Sequence, residues 1–141
     1  DASIDCVTSI FVPLGQDEIY RILKENGYWI VVGPGPKHCF ELKEVLYDTP
    51  YENEMPEIQE QYDMVSQEII KETKMVDDVW ALLEMTPYRY KTSQVGLDRV
   101  KQLERLEVTF EFVVTVYKKY ENNNYIIHYL IDCHWMFSYS R

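Results

Sequence analysis

A short apolar strand that ends at a Gly-Pro-Gly-Pro turn constrains this chain more than any other feature of its sequence. Residues 29–32 (WIVV) are apolar and largely β-branched, and the turn of residues 33–36 leads to His38 and into a helical pattern. Such a run predicts a buried strand, and open parallel sheets bind ligands beyond the carboxyl ends of their strands. We therefore expect a functional site around residues 33–38.

The residues before the turn predict a β-α-β unit. A strand is expected over residues 4–11, and acidic residues after Gly15 open a helix whose apolar stripe includes Ile19 and Ile22 and which ends at Asn26-Gly27. Because a strand-helix-strand connection almost always makes a right-handed crossover, the two strands should be parallel. The expected fold class is α/β.

The residues after the turn predict a helix over residues 40–46, a polar loop over 48–56, a strand within 65–75, and a helix that starts at Asp77 and ends before Pro87. Residues 106–112 then alternate between large apolar side chains and Glu107, Thr109 and Glu111. This alternation predicts a strand with one face in water.

Composition limits the classes of function. The chain has 141 residues and a formal net charge of −10, which disfavours a general polyphosphate clamp. Cys6, Cys39 and Cys133 form no Cys-x-x-Cys pair, and a strand-like alternation would put Cys133 and His134 on opposite faces, away from a shared metal with His128. No membrane-length apolar stretch or signal peptide is evident, so we expect a soluble, cytoplasmic protein without a metal.

Four blocks occur in order along residues 1–120. They are Asp5 with residues 10–13 (IFVP), Glu18 with 22–27 (ILKENG), 33–38 (GPGPKH) with 41–43 (ELK), and 81–88 (ALLEMTPY). Together they resemble the carboxyl-terminal half of the 23S ribosomal RNA (guanine-N1)-methyltransferases. The resemblance implies the back half of a Rossmann-like class I methyltransferase sheet, with two parallel strands and then a last pair in which residues 106–117 run antiparallel to their neighbours.

The departures from this family predict that the chain is a fragment. The family's zinc ribbon and Gly-rich cofactor loop are absent, so zinc would belong to a missing amino-terminal part, and the chain begins at Asp1 without an initiator Met. We expect this chain alone to bind S-adenosylmethionine weakly or not at all. Residues 121–141 form an unmatched aromatic-rich tail, either an extra strand or a divergent end.

The activity that the resemblance implies is methyl transfer from S-adenosylmethionine to N1 of a guanine in 23S ribosomal RNA. The resemblance assigns His38, Thr8, Ser9, Phe11 and Gly33 to the cofactor. It assigns two further residues, Thr86 and Tyr88, to the target base. Each has a structural alternative: a helix-closing His38, hydroxyls bonded to nearby backbone, a core Phe11, glycines required by the turn, and a helix end that packs Tyr88 on the sheet. The general base that accepts the N1 proton stays unnamed.

Two other functions stay open. One is a small-molecule methyltransferase of the same fold, and the other is a non-catalytic interaction module that recruits a partner through residues 125–137. The first strand would lie at an open, apolar sheet edge, and such edges recruit further strands. Self-association is therefore expected for the chain on its own.

Overall fold

The computed structural model describes residues 1–120, which form a mixed α/β structure around a four-stranded open sheet. Its elements, in chain order, are β1 (Ile4–Ile10), α1 (Gln16–Ile22), β2 (Leu23–Pro34), α2 (Phe40–Leu46), β3 (Tyr62–Val76), α3 (Val79–Glu84), a 3₁₀ helix (Pro87–Lys91), α4 (Gln94–Lys101) and β4 (Leu106–Lys119). The predicted α/β class is confirmed. The predicted strand in 125–137, the tail and the candidate ligands His128, Cys133 and His134 lie outside the described residues.

The strands follow the order β1-β2-β4-β3. β1 and β2 are parallel, as the β-α-β pattern predicts, with Val7 opposite Trp29 and Ile10 opposite Val32. β4 meets residues on both sides in descending order as the other segment ascends. These positions are Gly35 with Glu111, Cys39 with Thr109, Lys71 with Glu111, and Thr73 with Thr109. β4 therefore runs antiparallel to its neighbours, which is the direction that the sequence predicted.

α1 ends earlier than the sequence predicted. The helix stops at Ile22 and β2 starts at Leu23, so Asn26 lies inside the strand, not at the helix end. The register between β1 and β2 jumps there, and Asn26 takes a left-handed conformation with φ 63°. Asn tolerates that conformation better than most residues, so the Asn-Gly pair makes an irregularity within β2.

The described residues divide into two compact units. The first contains Asp1–Val32, Glu57–Gln67 and residues 114–120. Its buried core consists of Ile19, Leu23, Trp29, Val31, Tyr62 and Tyr117. The Trp29 ring lies 5.0 Å from the Tyr62 ring and 5.5 Å from the Tyr117 ring, measured between centroids. Aromatic side chains bury the most area per residue, so this cluster is the main apolar contact of the unit.

The second unit contains Gly33–Pro56 and Glu68–Val113. Its buried core consists of Cys39, Leu42, Leu46, Val79, Leu83, Val100 and Val108. Asp78 caps α3 by accepting a hydrogen bond from the Ala81 amide at 2.9 Å. The sequence did not predict α4, whose cap is Ser93, bonded to the Gly96 amide at 3.3 Å. No helix within residues 1–120 is both long enough and apolar enough to cross a lipid bilayer.

The prediction of a solvent-exposed face on β4 is wrong. Glu111 and Thr115 are each only 2% exposed, and of the three polar residues in the alternating run Glu107 alone is exposed. β4 is an inner strand of the sheet, and the chain that follows β2 covers the Glu111 side chain. An inner strand covered on both faces carries fewer exposed positions than alternation alone suggests.

Candidate functional site

The turn after β2 is fastened to β4 through one residue. The Gly35 amide donates to the Glu111 carbonyl at 2.8 Å, and the Lys37 amide donates to Oε1 of the Glu111 carboxylate at 2.9 Å. The His38 amide closes the turn by donating to the Gly35 carbonyl at 3.1 Å. The three amides are therefore satisfied within the protein, so any ligand at this turn must be held mainly by side chains.

The two glycines of the turn have different roles. A Cβ on Gly35 would lie 2.6 Å from the Glu111 side chain, so Gly35 is required for the close approach of the two segments. A Cβ on Gly33 would meet no atom within 4 Å, and neither glycine has a positive φ. The expectation that the turn requires Gly33 is therefore wrong. Gly33 instead borders open space, which is compatible with a ligand approaching it.

Glu111 is a buried carboxylate with charged and polar partners. Its Oε2 lies 2.7 Å from Nζ of Lys71, whose own side chain is 58% exposed. Burial would raise the pKa of Glu111, but the hydrogen bonds from Lys71 and the Lys37 amide outweigh it, so the pKa is lowered. A buried carboxylate is stable only when its charge is paired and bonded in this way. Glu111 is therefore ionised at neutral pH.

His38 lies half-buried beside the same strand. Its Nδ1 is 2.8 Å from the Glu111 carbonyl oxygen and 3.2 Å from the Glu111 amide nitrogen. Its ring packs against Phe110 and Phe112, with centroids 6.0 and 5.2 Å away. Burial lowers the pKa of His38, and contact with the Glu111 main chain offsets part of that effect. An imidazole beside two apolar rings is the group of this unit best suited to contact a ligand that is part polar and part apolar.

A buried lysine fastens the loop of residues 48–56 to α2. Lys43 is 0% exposed, and its Nζ donates to the Tyr51 carbonyl at 3.0 Å and to Oδ1 of Asn53 at 2.7 Å. The Asn53 side chain in turn donates to the Gly35 carbonyl at 2.9 Å. Burial lowers the pKa of Lys43. The loop is therefore tied both to the helix and to the ligand-facing turn.

Tyr88 belongs to the same cluster. The Lys43 ammonium lies 5.2 Å from the centroid of its ring, and Tyr88 hydrogen-bonds to the side chain of Asn53. Burial raises the pKa of Tyr88 to about 12. Asn53 therefore links Tyr88 to the turn, whereas the Thr86 hydroxyl donates to the Leu83 carbonyl at 2.9 Å and closes the end of α3. The structural alternative accounts for Thr86, and the stacking role of Tyr88 stays a prediction.

The other three predicted cofactor residues lie in the first unit. Ser9 is 5% exposed, and its Oγ accepts a hydrogen bond from the Trp29 indole at 3.0 Å, so its hydroxyl has a structural partner. Thr8 is exposed on β1, opposite Ile30. Phe11 is 51% exposed and has a left-handed φ of 51°. A large side chain that is exposed in this conformation is not part of the core, which removes the structural alternative for Phe11.

Three residues of this site, Glu111, Lys43 and Asn53, were missed in the sequence. Lys43 had a detectable signal, because it follows Cys39 by four residues and precedes Leu46 by three, on the apolar stripe of α2. Glu111 had none, since its burial depends on a turn that is 76 positions away at Gly35. Asn53 stands in a polar loop where asparagine is common, and nothing distinguishes it there.

The arrangement offers binding groups but no activated nucleophile. Burial raises the pKa of the Cys39 thiol to about 11, which keeps it protonated and unreactive. No group of three His, Cys, Asp or Glu side chains within residues 1–120 is arranged to hold a metal ion. The second unit therefore combines a half-buried imidazole, adjacent aromatic rings and open space beside Gly33. Neither the protein-family models nor the curated proteins include a match to this chain.

Proposed function

We propose that this chain forms part of the catalytic domain of an S-adenosylmethionine-dependent methyltransferase that acts on N1 of a guanine in 23S ribosomal RNA. The observation that carries the proposal is the turn after β2. It follows the second strand of a parallel β-α-β unit, it is held by an antiparallel strand, and it presents His38. The carboxyl end of such a strand is where open α/β sheets bind ligands.

The residues of the second unit suit an adenosyl cofactor. Such a molecule combines a flat apolar base with ribose and carboxylate oxygens, and the unit offers one imidazole flanked by Phe110 and Phe112. Open space borders Gly33, where a ligand could approach the backbone closely. His38 and Gly33 would hold the cofactor, which supplies an electrophilic methyl group when bound. Thr8, Ser9 and Phe11 remain predicted cofactor residues of the first unit.

The protein's contribution to this reaction is mainly alignment. Methyl transfer is an in-line displacement that needs no covalent enzyme intermediate, and precise positioning can lower its barrier by up to ~7–11 kcal/mol. A network that fixes the turn, the loop and Tyr88 through Glu111, Lys43 and Asn53 is the kind of support that such positioning requires. The guanine N1 proton must pass to a base or to water as the new bond forms.

Cofactor binding by the protein expressed from its complete native reading frame tests this proposal. Calorimetry should detect S-adenosylmethionine binding, and Gly33→Leu should weaken it at least tenfold because the new side chain fills the space beside the turn. Gly15→Leu is the matched control, since a Cβ there also meets no atom within 4 Å but stands ahead of α1. No binding by the unaltered protein, or equal effects of the two variants, would count against the proposal.

The second candidate is a non-catalytic interaction module. The observation that favours it is the exposed apolar segment after β1 in the first unit, where Ile10, Phe11 and Val12 are 59%, 51% and 54% exposed. Exposed apolar patches mark interaction surfaces in many proteins. A protein that binds no S-adenosylmethionine but loses self-association when this segment is made polar would support the module instead. A small-molecule methyltransferase would bind the cofactor and leave ribosomal RNA unmodified.

A further inference from the structure

The position of the ring proton on His38 follows from two atoms of one neighbour. Nδ1 lies near both the carbonyl oxygen and the amide nitrogen of Glu111, at 2.8 and 3.2 Å. The carbonyl could accept a proton from Nδ1, whereas the amide needs Nδ1 to be an acceptor. A single nitrogen cannot satisfy both, so the hydrogen-bond partners of Glu111 decide which tautomer is stable.

The carbonyl of Glu111 has a partner already, because it accepts from the Gly35 amide at 2.8 Å. The amide and carbonyl of one strand residue point to the same side, and on that side the acceptor for the Glu111 amide is Nδ1 of His38. A proton on Nδ1 would turn this contact into two opposed N–H groups and leave a buried amide without its acceptor. Buried main-chain donors are rarely left in that state.

The surroundings also favour the neutral ring. Phe110 and Phe112 pack against it, and Lys43 on α2 adds an unfavourable positive charge. The one nearby carboxylate is that of Glu111, and its charge is already taken up by Lys71 on β3 and by the Lys37 amide. Protonation of the ring would therefore gain little from Glu111 and would break the hydrogen bond from the Glu111 amide.

We propose that His38 is a neutral hydrogen-bond donor, with its proton fixed on Nε2 by the Glu111 main chain, that recognises an acceptor oxygen of the bound ligand. The ligand role rests on the proposed function, whereas the tautomer rests on the geometry alone. Glu111 is then a positioning residue, because it acts on the ligand through His38. The base that accepts the guanine N1 proton is a different group or water.

Nitrogen-15 NMR of the full 141-residue chain tests the tautomer directly. The chain has three histidines, and His38→Gln identifies the signals of His38 by removing them, with His128→Gln as the matched control. At neutral pH, Nε2 of His38 should have the chemical shift of a protonated nitrogen and Nδ1 that of an unprotonated one. A proton on Nδ1, or a cationic ring at pH 7, would overturn the proposal.

Two substitutions test the ligand role in the protein from its complete native reading frame. Gln places an N–H donor near the position of Nε2, whereas Asn places one near Nδ1. His38→Asn should therefore weaken cofactor or RNA binding at least tenfold more than His38→Gln, and neither should shift the pH dependence of methyl transfer. Equal losses, or loss of an acid limb of the pH profile in His38→Gln, would overturn the donor role.

A different result would separate this inference from the proposed function. Failure of the unaltered protein to bind S-adenosylmethionine would overturn the proposed function and the ligand role that depends on it. The NMR measurement would still decide the tautomer, because it needs neither ligand nor activity. A confirmed Nε2 proton without cofactor binding would thus contradict the methyltransferase proposal and leave the geometric inference standing.

Discussion

Glu111 connects more of the second unit than any other single side chain discussed above. Its carboxylate binds the Lys37 amide and Lys71, and its main chain binds Gly35 and His38. Because the side chain is only 2% exposed, water cannot replace a partner that is lost. Changes at this residue should therefore affect both the stability of the unit and the position of the turn.

Glu111→Gln should lower the free energy of unfolding by about 1–3 kcal/mol, because a charge-assisted bond to Lys71 is lost while the shape is kept. Urea denaturation at neutral pH measures this change. Glu107→Gln is the control, since Glu107 is exposed on the same strand and should change stability by less than about 0.5 kcal/mol. Equal values for the two variants would mean that the Glu111 network contributes nothing to stability.

Gly35→Ala should destabilise the protein by about 1–3 kcal/mol, because its methyl group would overlap the buried Glu111 side chain. Gly33→Ala is the matched variant two residues earlier, where a Cβ meets no atom within 4 Å. It should be neutral or stabilise by up to about 1 kcal/mol, because alanine restricts the unfolded chain. Thermal or urea denaturation of both variants distinguishes them, and the reverse order of stability would contradict the described turn.

Titration of His38 should make stability depend on pH. Its folded pKa is lowered from 6.5, so the unfolded chain binds more protons. The contribution is fully present above about pH 6.5 and is lost as the pH falls toward the folded pKa. In His38→Gln, the decrease in unfolding free energy between about pH 7.5 and 5.5 should be smaller than in the unaltered chain. Identical pH profiles would show that His38 titrates normally.

The sequence predicted the location of the site better than its supporting contacts. His38 could be placed after a buried strand because the turn chemistry at residues 33–36 is local and strong. Glu111 was assigned to water because alternation describes one strand and not the segments that cover it. Contacts between residues far apart in sequence, such as Glu111 with Gly35, depend on the assembled sheet and are not encoded in a local pattern.

At the scale of the elements, the loop of residues 48–56 depends on α2. Lys43 binds the loop at Tyr51 and Asn53, and Asn53 binds the turn at Gly35 and at Pro36, to which its amide donates at 3.0 Å. The loop has no regular secondary structure, and such segments usually open at low free-energy cost. Here a single buried ammonium connects loop, helix and turn.

Lys43→Met should release this loop while keeping α2 folded, because methionine keeps most of the apolar stem but cannot donate to Asn53. Hydrogen exchange of the Asn53 amide should become at least tenfold faster. Glu44→Gln, an exposed change at the next position of α2, should leave that exchange unchanged. Unchanged protection in Lys43→Met would show that the loop is held by other contacts.

The elements themselves were predicted unevenly. β1, β2, α2, α3 and β4 follow from apolar periodicity and turn signals, and the structure places them near the expected residues. α4 was missed because Gly96 lies inside it and weakens the helical pattern; in the structure a Cβ there would lie 2.4 Å from the Leu46 carbonyl oxygen. The close packing of α4 on α2 requires that glycine, and tertiary packing overrides helix propensity.

At the scale of the whole molecule, β1 is at one end of the described strand order. Ile4 and Ile10 on this strand are 39% and 59% exposed. Edge strands with apolar side chains pair readily with further strands, although the net charge of −10 opposes the approach of two copies. The balance of these effects determines the oligomeric state.

Sedimentation velocity should show association that increases with protein concentration and with salt, because salt screens the repulsion between copies. Ile10→Lys should reduce it, since a charged edge residue disfavours strand pairing. Val95→Lys is the control, because Val95 is 61% exposed but lies on α4. A monomer at every concentration and salt level would contradict the prediction, as would equal effects of the two lysines.

The measurement that tests the central claim most directly is methyl transfer by the protein from its complete native reading frame. S-adenosylmethionine with an isotopically labelled methyl group is incubated with unmodified 23S ribosomal RNA, and the RNA is digested to nucleosides for mass spectrometry. Our account predicts labelled N1-methylguanosine at a single site, and little product from Gly33→Leu. The account would be contradicted by ribosomal RNA that stays unlabelled, or by label on a different atom or nucleoside.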